Sequence, residues 1–200
     1  MVWRDNQCMK PQLAEDDRPP ATLSLDEYLS SSFSPDCDFV DGRAEERNVG
    51  TFDHSRMVTS LIWMLADRRE PWSVMALPSL RMRVGPTPVR VPDLCVIERG
   101  GPREQVLTYP PLAVIEVLDE EDRFSATMEK LDDYLRFGIE NVWVVDPERR
   151  SAHTATRAGL HLVQSSEGHH TSQRRDMRLV ITGFSSSTPR GYAVPSTAGR

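Results

Sequence analysis

The chain has 200 residues, 38% of them hydrophobic and 27% charged, with a net charge of −6. That is enough apolar material for one ordinary core, and no apolar run approaches the length needed to span a bilayer. The acidic balance excludes a global field that gathers polyanions, so a nucleic acid would have to be held by local arginines or by a bound metal. Three cysteines, Cys8, Cys37 and Cys95, are widely spaced and form no CxxC pair. They read as reduced thiols and argue against a disulfide framework or a zinc knuckle. The opening Met1-Val2-Trp3-Arg4 has no apolar signal core, so the cytoplasm is the expected location.

Residues 1–22 are polar, proline-bearing and unpatterned, and read as a disordered arm ahead of a domain at 23–165. Ser24-Leu25-Asp26-Glu27 has the capping-box pattern and opens a short helix through Leu29. Asp38-Phe39-Val40 and Arg43-Ala44-Glu45 flank Asp41-Gly42, a pair suited to a tight hairpin turn. From His54 to Arg69 the apolar Met57, Val58, Leu61, Ile62 and Leu65 recur at three- and four-residue steps, which predicts an amphipathic helix. Leu80, Met82 and Val84 alternate with Arg81 and Arg83, the pattern of a strand with a basic polar face.

Residues 89–97 read as one strand in which Pro92, lacking an N–H, breaks or bulges the pairing beside Asp93. Residues 112–118 are apolar on both faces except at Glu116, as in a central strand. A helix is expected from Ser125 as N-cap to Phe137, stopped by Gly138. Asn141 to Val145 is a further buried strand ended by Asp146-Pro147, and Ala158-Gly159 turns a weaker hairpin. Residues 166–200 read as a polar, flexible tail containing His169-His170, in which only Met177 to Ile181 has strand character. Strands alternating with helices predict an α/β fold with a mixed central sheet flanked by helices.

Asp93 and Glu116 stand out because each places a carboxylate in a run of strand-forming apolar residues. Two acids drawn inward without an obvious cation suggest a site for a hard metal ion. Asp38-Phe39-Val40-Asp41-Gly42, His54, Val91-Pro92-Asp93, Ile115-Glu116-Val117-Leu118, Lys130, Tyr134, Gly138 and Val142-Trp143-Val144-Val145-Asp146-Pro147 occur in an order that resembles the Uma-type restriction endonuclease family. That family is a branch of the PD-(D/E)XK nuclease superfamily. The resemblance runs from about residue 23 to 163 and implies a restriction-endonuclease-like core.

It implies further that Asp93 and Glu116 are catalytic acids binding Mg (or Mn), with the Val117 backbone carbonyl as a third ligand. Asp38 matches a position that is usually glutamate, so it would reach the metal only through water. Lys130 matches a helical lysine that replaces the one expected two residues after the second acid, where this chain has Leu118. Asp119 stands where serine is more common. The implied activity is Mg-dependent hydrolysis of DNA phosphodiester bonds, and a homodimer is compatible with cutting both strands. Carboxylates on a divalent ion activate water and relieve phosphate charge, while a lysine steadies the developing negative charge.

Two other classes compete with this reading. One is a nuclease-like domain that has lost its chemistry and serves as a nucleic-acid or protein-binding module. The other is a two-carboxylate glycosidase, disfavoured by an aromatic content of 7%. If the acids face each other without cations, removing either should relieve repulsion, and Lys130→Met should leave stability nearly unchanged. Should Lys130 prove a surface residue, Arg81 or Arg83 would be left to hold the phosphate.

Overall fold

The computed structural model describes residues 22–163 except 34, 35, 48, 49, 121 and 123. The strand expected at Met177–Ile181 and the His169-His170 pair lie outside the described residues. The elements in chain order are α1 (Leu25–Ser30), β1 (Cys37–Val40), β2 (Arg43–Glu46), α2 (Phe52–Ala66) and α3 (Arg69–Trp72). There follow β3 (Val74–Pro78), β4 (Met82–Arg83), β5 (Val89–Arg90), β6 (Leu94–Glu98), β7 (Ala113–Val117), α4 (Phe124–Phe137), β8 (Val142–Asp146), β9 (Ser151–Thr156) and β10 (Gly159–Leu162).

Local chemistry explains most of these boundaries. At α1 the Ser24 hydroxyl accepts from the Glu27 N–H at 3.2 Å and the Glu27 carboxylate accepts from the Ser24 N–H at 2.8 Å, a complete capping box. Between β1 and β2, Asp41 and Gly42 take φ of 48° and 79°, the two positive angles of a tight hairpin turn. A Cβ on Gly42 would approach the Thr22 Cβ to 3.0 Å as well as entering left-handed backbone. Gly42→Ala is therefore expected to cost about 1–2 kcal/mol, read from the denaturant midpoint at unchanged slope. Helix α4 begins at Phe124, so Ser125 lies inside the first turn instead of capping it. Gly138, at φ 97°, ends that helix as expected.

Six strands form the main sheet in the order β10-β9-β8-β7-β6-β3, and four form a smaller sheet in the order β2-β1-β5-β4. In the main sheet β7 and β8 are parallel, joined through α4, and the other neighbours are antiparallel. Alternation along β7 divides the core. Ala113, Ile115 and Val117 pack with Met57, Leu61 and Leu65 of α2, whereas Val114 packs with Leu131 and Tyr134 of α4. Glu116 shares the parity of Val114 and so faces α4.

Two further expectations change in the structure. Residues 89–97 are not one strand but two, in different sheets, with Val91-Pro92-Asp93 as the crossing between them. Pro92 has no N–H for a ladder, and the Val91 N–H donates instead to Asp38 Oδ1 at 2.7 Å. The basic strand at 80–84 shortens to Met82–Arg83, and its arginines turn to partners outside the cavity. Arg81 pairs with Asp36 at 2.7 Å and lies over the Tyr28 ring, while Arg83 donates to the Gly85 and Pro86 carbonyls. The edge strand β3, paired with β6, lies in a stretch to which sequence analysis assigned no element.

Candidate active site

The antiparallel register of β6 and β7 pairs Leu94 with Ile115, so one step back sets Asp93 across from Glu116. Both are buried, and both line one cavity of about 420 Å³ together with Asp38, Arg47, His54, Arg90, Val117, Asp119 and Lys130. The two acids expected to converge therefore share one cavity. The crossing at Pro92 carries Asp93 to the start of β6, inside the main sheet, while the pleat turns Glu116 beneath α4.

Each acid is met by cations and donors. Asp93 Oδ1 accepts from Arg47 at 2.5 Å; its Oδ2 accepts from the Val117 N–H at 2.9 Å and lies 3.2 Å from His54 Nε2. Burial acts to raise the Asp93 pKa, but His54, Lys130, Arg47 and the Val117 N–H outweigh it and bring the carboxyl down to about 2. The hydrogen bond to Asp93 raises the His54 pKa against its own burial. Glu116 accepts from Tyr134 Oη at 2.6 Å and from Lys130 Nζ at 3.1 Å. Burial dominates there and, with Asp93 adding to it, pushes the carboxyl up to about 7 despite Lys130. Neighbouring acids with opposed shifts mark a place where charge is tightly managed.

Lys130 is not a solvated helix lysine. Its Nζ reaches the Val91 carbonyl at 2.9 Å as well as Glu116, and Asp38 Oδ2 stands 3.9 Å away. Asp133, a candidate partner for Lys130 along the helix, pairs with Arg90 at 2.7 Å instead. Asp38 holds the Val91 N–H with one oxygen and Arg90 with the other, at 3.3 Å, and so ties the smaller sheet to the Pro92 crossing. Asp119 Oδ2 accepts the Thr51 N–H at 2.8 Å, fastening the end of β7 to the start of α2. Thr51 caps α2 through the His54 N–H, which leaves the His54 ring to face Asp93.

Sequence reasoning missed Arg47 and Arg90, and it turned to Arg81 and Arg83, which have no place in this cavity. Nothing local marks Arg47 or Arg90, because each finds its acid tens of positions along the chain. The donor chemistry suits a hard cation: buried carboxylates just ahead of β6 and within β7, with the Val117 main chain beside them. Among the described residues, however, no three histidine, cysteine or acidic side chains are grouped as a ready cage, and Arg47 and Lys130 lie on the acid oxygens. No helix among the described residues is long and apolar enough to cross a membrane.

Comparison with known proteins agrees with this architecture. A crystal structure of a putative nuclease belonging to DUF820 from Anabaena variabilis superposes with a TM-score of 0.67 at 15% identity, covering 82% of this chain and 99% of that one. At that identity the likeness speaks for the fold alone. No curated protein matches the chain. The profile of the Uma2 family, described as "Putative restriction endonuclease", matches residues 25–188. With the match running over most of the sequence, this protein belongs to the Uma2 family.

Proposed function

We propose that the protein is a divalent-metal-dependent endonuclease that hydrolyses DNA phosphodiester bonds, acting in the cytoplasm. The observation that carries this reading is the meeting of Asp93, Glu116 and Lys130 around one cavity in a chain of this family. Asp93, Glu116 and the Val117 carbonyl would hold Mg²⁺ or Mn²⁺, with Asp38 set behind them. The bound cation supplies Lewis-acid polarisation of the phosphate and a more acidic water.

The chain's own groups do the rest. Tyr134 fixes the Glu116 carboxylate, His54 and the Val117 N–H fix that of Asp93, and Lys130 Nζ lies where it can turn from Glu116 to a phosphate oxygen. The test is nicking of supercoiled plasmid. Wild type should cut in Mg²⁺ and stop in EDTA, and Asp93→Asn should not cut at all. Cutting by purified Asp93→Asn at the wild-type rate would overturn the assignment.

A second reading rests on one specific observation: protein cations already meet the acid oxygens. In that case the domain is a nuclease-fold module that binds nucleic acid or protein without chemistry. DNA binding of equal strength in Mg²⁺ and EDTA, with no nicking in either, would select it.

A further inference from the structure

We propose that Arg47 is a phosphate-binding residue of this site, held on Asp93 until a divalent cation displaces it, so that entry of the cation releases a guanidinium to the substrate. The inference rests on the nuclease reading above. Arg47 is the first residue beyond β2, and its partly buried side chain lines the cavity. Its guanidinium is 2.5 Å from Asp93 Oδ1. The other oxygen of that carboxylate already has the Val117 N–H and His54, so Oδ1 is the one with capacity left for a cation. The guanidinium therefore stands on Asp93 in the cavity that Glu116 and Asp38 also line. That is the place a metal ion would take.

Arg90 and Lys130, the other basic side chains of the cavity, each bridge two partners. Arg90 lies between Asp38 and Asp133, and Lys130 joins Glu116 to the Val91 carbonyl. Among the described residues the Arg47 ion pair is with Asp93. A divalent ion outcompetes a single positive charge for a carboxylate pair, and a guanidinium set free presents a planar fork of donors matched to phosphate. The exchange also answers an electrostatic need. Without metal, Arg47 offsets the acids; with metal, the same charge would be repelled by the ion and attracted by the substrate's phosphate.

The experiment measures two affinities in wild type, Arg47→Met and Arg47→Gln: Mg²⁺ by titration calorimetry, and a short fluorescent DNA duplex by anisotropy in Ca²⁺, which takes the same oxygen ligands. Arg47→Met should bind Mg²⁺ about ten-fold more tightly, having lost the competitor, and bind DNA about ten-fold more weakly, having lost the phosphate contact. A residue with only a structural role would weaken both. Arg47→Gln keeps a hydrogen-bond donor for Asp93 and should show the same opposed shifts if the Met variant does not fold. Unchanged or weaker Mg²⁺ binding in the folded variant overturns the proposal, as does tighter Mg²⁺ binding with DNA affinity retained. If wild type binds no Mg²⁺, the nuclease reading itself fails. If it binds Mg²⁺ through Asp93, as Asp93→Asn would show, and the Arg47 variants match wild type, only the present inference fails.

Discussion

Asp93→Asn and Glu116→Gln should each abolish Mg²⁺-dependent cleavage, yet in chelator they should move stability in opposite directions. Asp93 is depressed from its ordinary 3.8 to about 2. Its ionised form therefore contributes stability above pH 3.8 that is lost as pH falls through about 2, on the order of 2 kcal/mol. Asparagine forgoes that contribution and leaves Arg47 without its charge partner. Glu116 is raised from 4.5 to about 7, so its stability contribution is complete below pH 4.5 and is lost as pH rises through 7. Glutamine should then stabilise the metal-free protein above pH 7 by on the order of 3 kcal/mol, and match wild type at pH 4 to within about 1 kcal/mol. Urea midpoints across this pH range decide it. Equal losses of stability in the two variants above pH 7 would show that the acids are not in opposed environments. The sequence-based expectation that removing either acid relieves repulsion is therefore dropped for Asp93, which is met by Arg47 and His54, and for Glu116 it becomes relief of a buried charge, with repulsion from Asp93 the smaller part.

The legible part of this molecule is the part written in contiguous residues. A capping box, a turn with two positive φ angles and a Gly after a helix each act over a few positions, and α1, the β1–β2 hairpin and the end of α4 follow from them. Glu116 was legible because a carboxylate in an apolar strand carries a desolvation cost that something must offset. Asp93 was legible on the same ground, and Pro92 beside it could be seen to interrupt a ladder. That the interruption moves the chain from one sheet to another could not be seen. It depends on Asp38, more than fifty positions upstream, accepting the Val91 N–H. The cations were hidden for the same reason. Arg47, Arg90 and Asp133 look like ordinary surface residues in their local windows, and only tertiary packing gives them partners, Arg47 on Asp93 and Arg90 between Asp38 of β1 and Asp133 of α4. The edge strand β3 had a signal, the apolar run Val74-Met75-Ala76-Leu77, but a run so short is shared by strands and buried turns alike.

Lys130→Met should lower turnover by about 10² at saturating Mg²⁺, the scale seen when a group that stabilises transition-state charge is removed. Contrary to the expectation drawn from the sequence, it should also lower stability. A lysine at the solvent edge of a helix could be lost quietly, but this one is bonded to Glu116 and to the Val91 carbonyl with Asp38 close by. Methionine fills the stem's volume and leaves those acceptors buried without their cation. Breaking such a pair from one side typically costs about 3 kcal/mol. The stability loss should be smaller at low pH, where Glu116 takes up a proton and no longer needs the ammonium. The two effects separate in a double-variant cycle with Glu116→Gln in chelator. If Lys130 stabilises the fold chiefly through Glu116, the neutral Glu116→Gln/Lys130→Met protein should recover most of the stability that Lys130→Met alone loses, a coupling of about 1–3 kcal/mol. It should not recover cleavage, since the chemistry needs both charges. Additive losses in the cycle would assign Lys130 to the Val91 carbonyl and Asp38 in place of Glu116. Near-normal turnover in the folded single variant would remove it from the catalytic set.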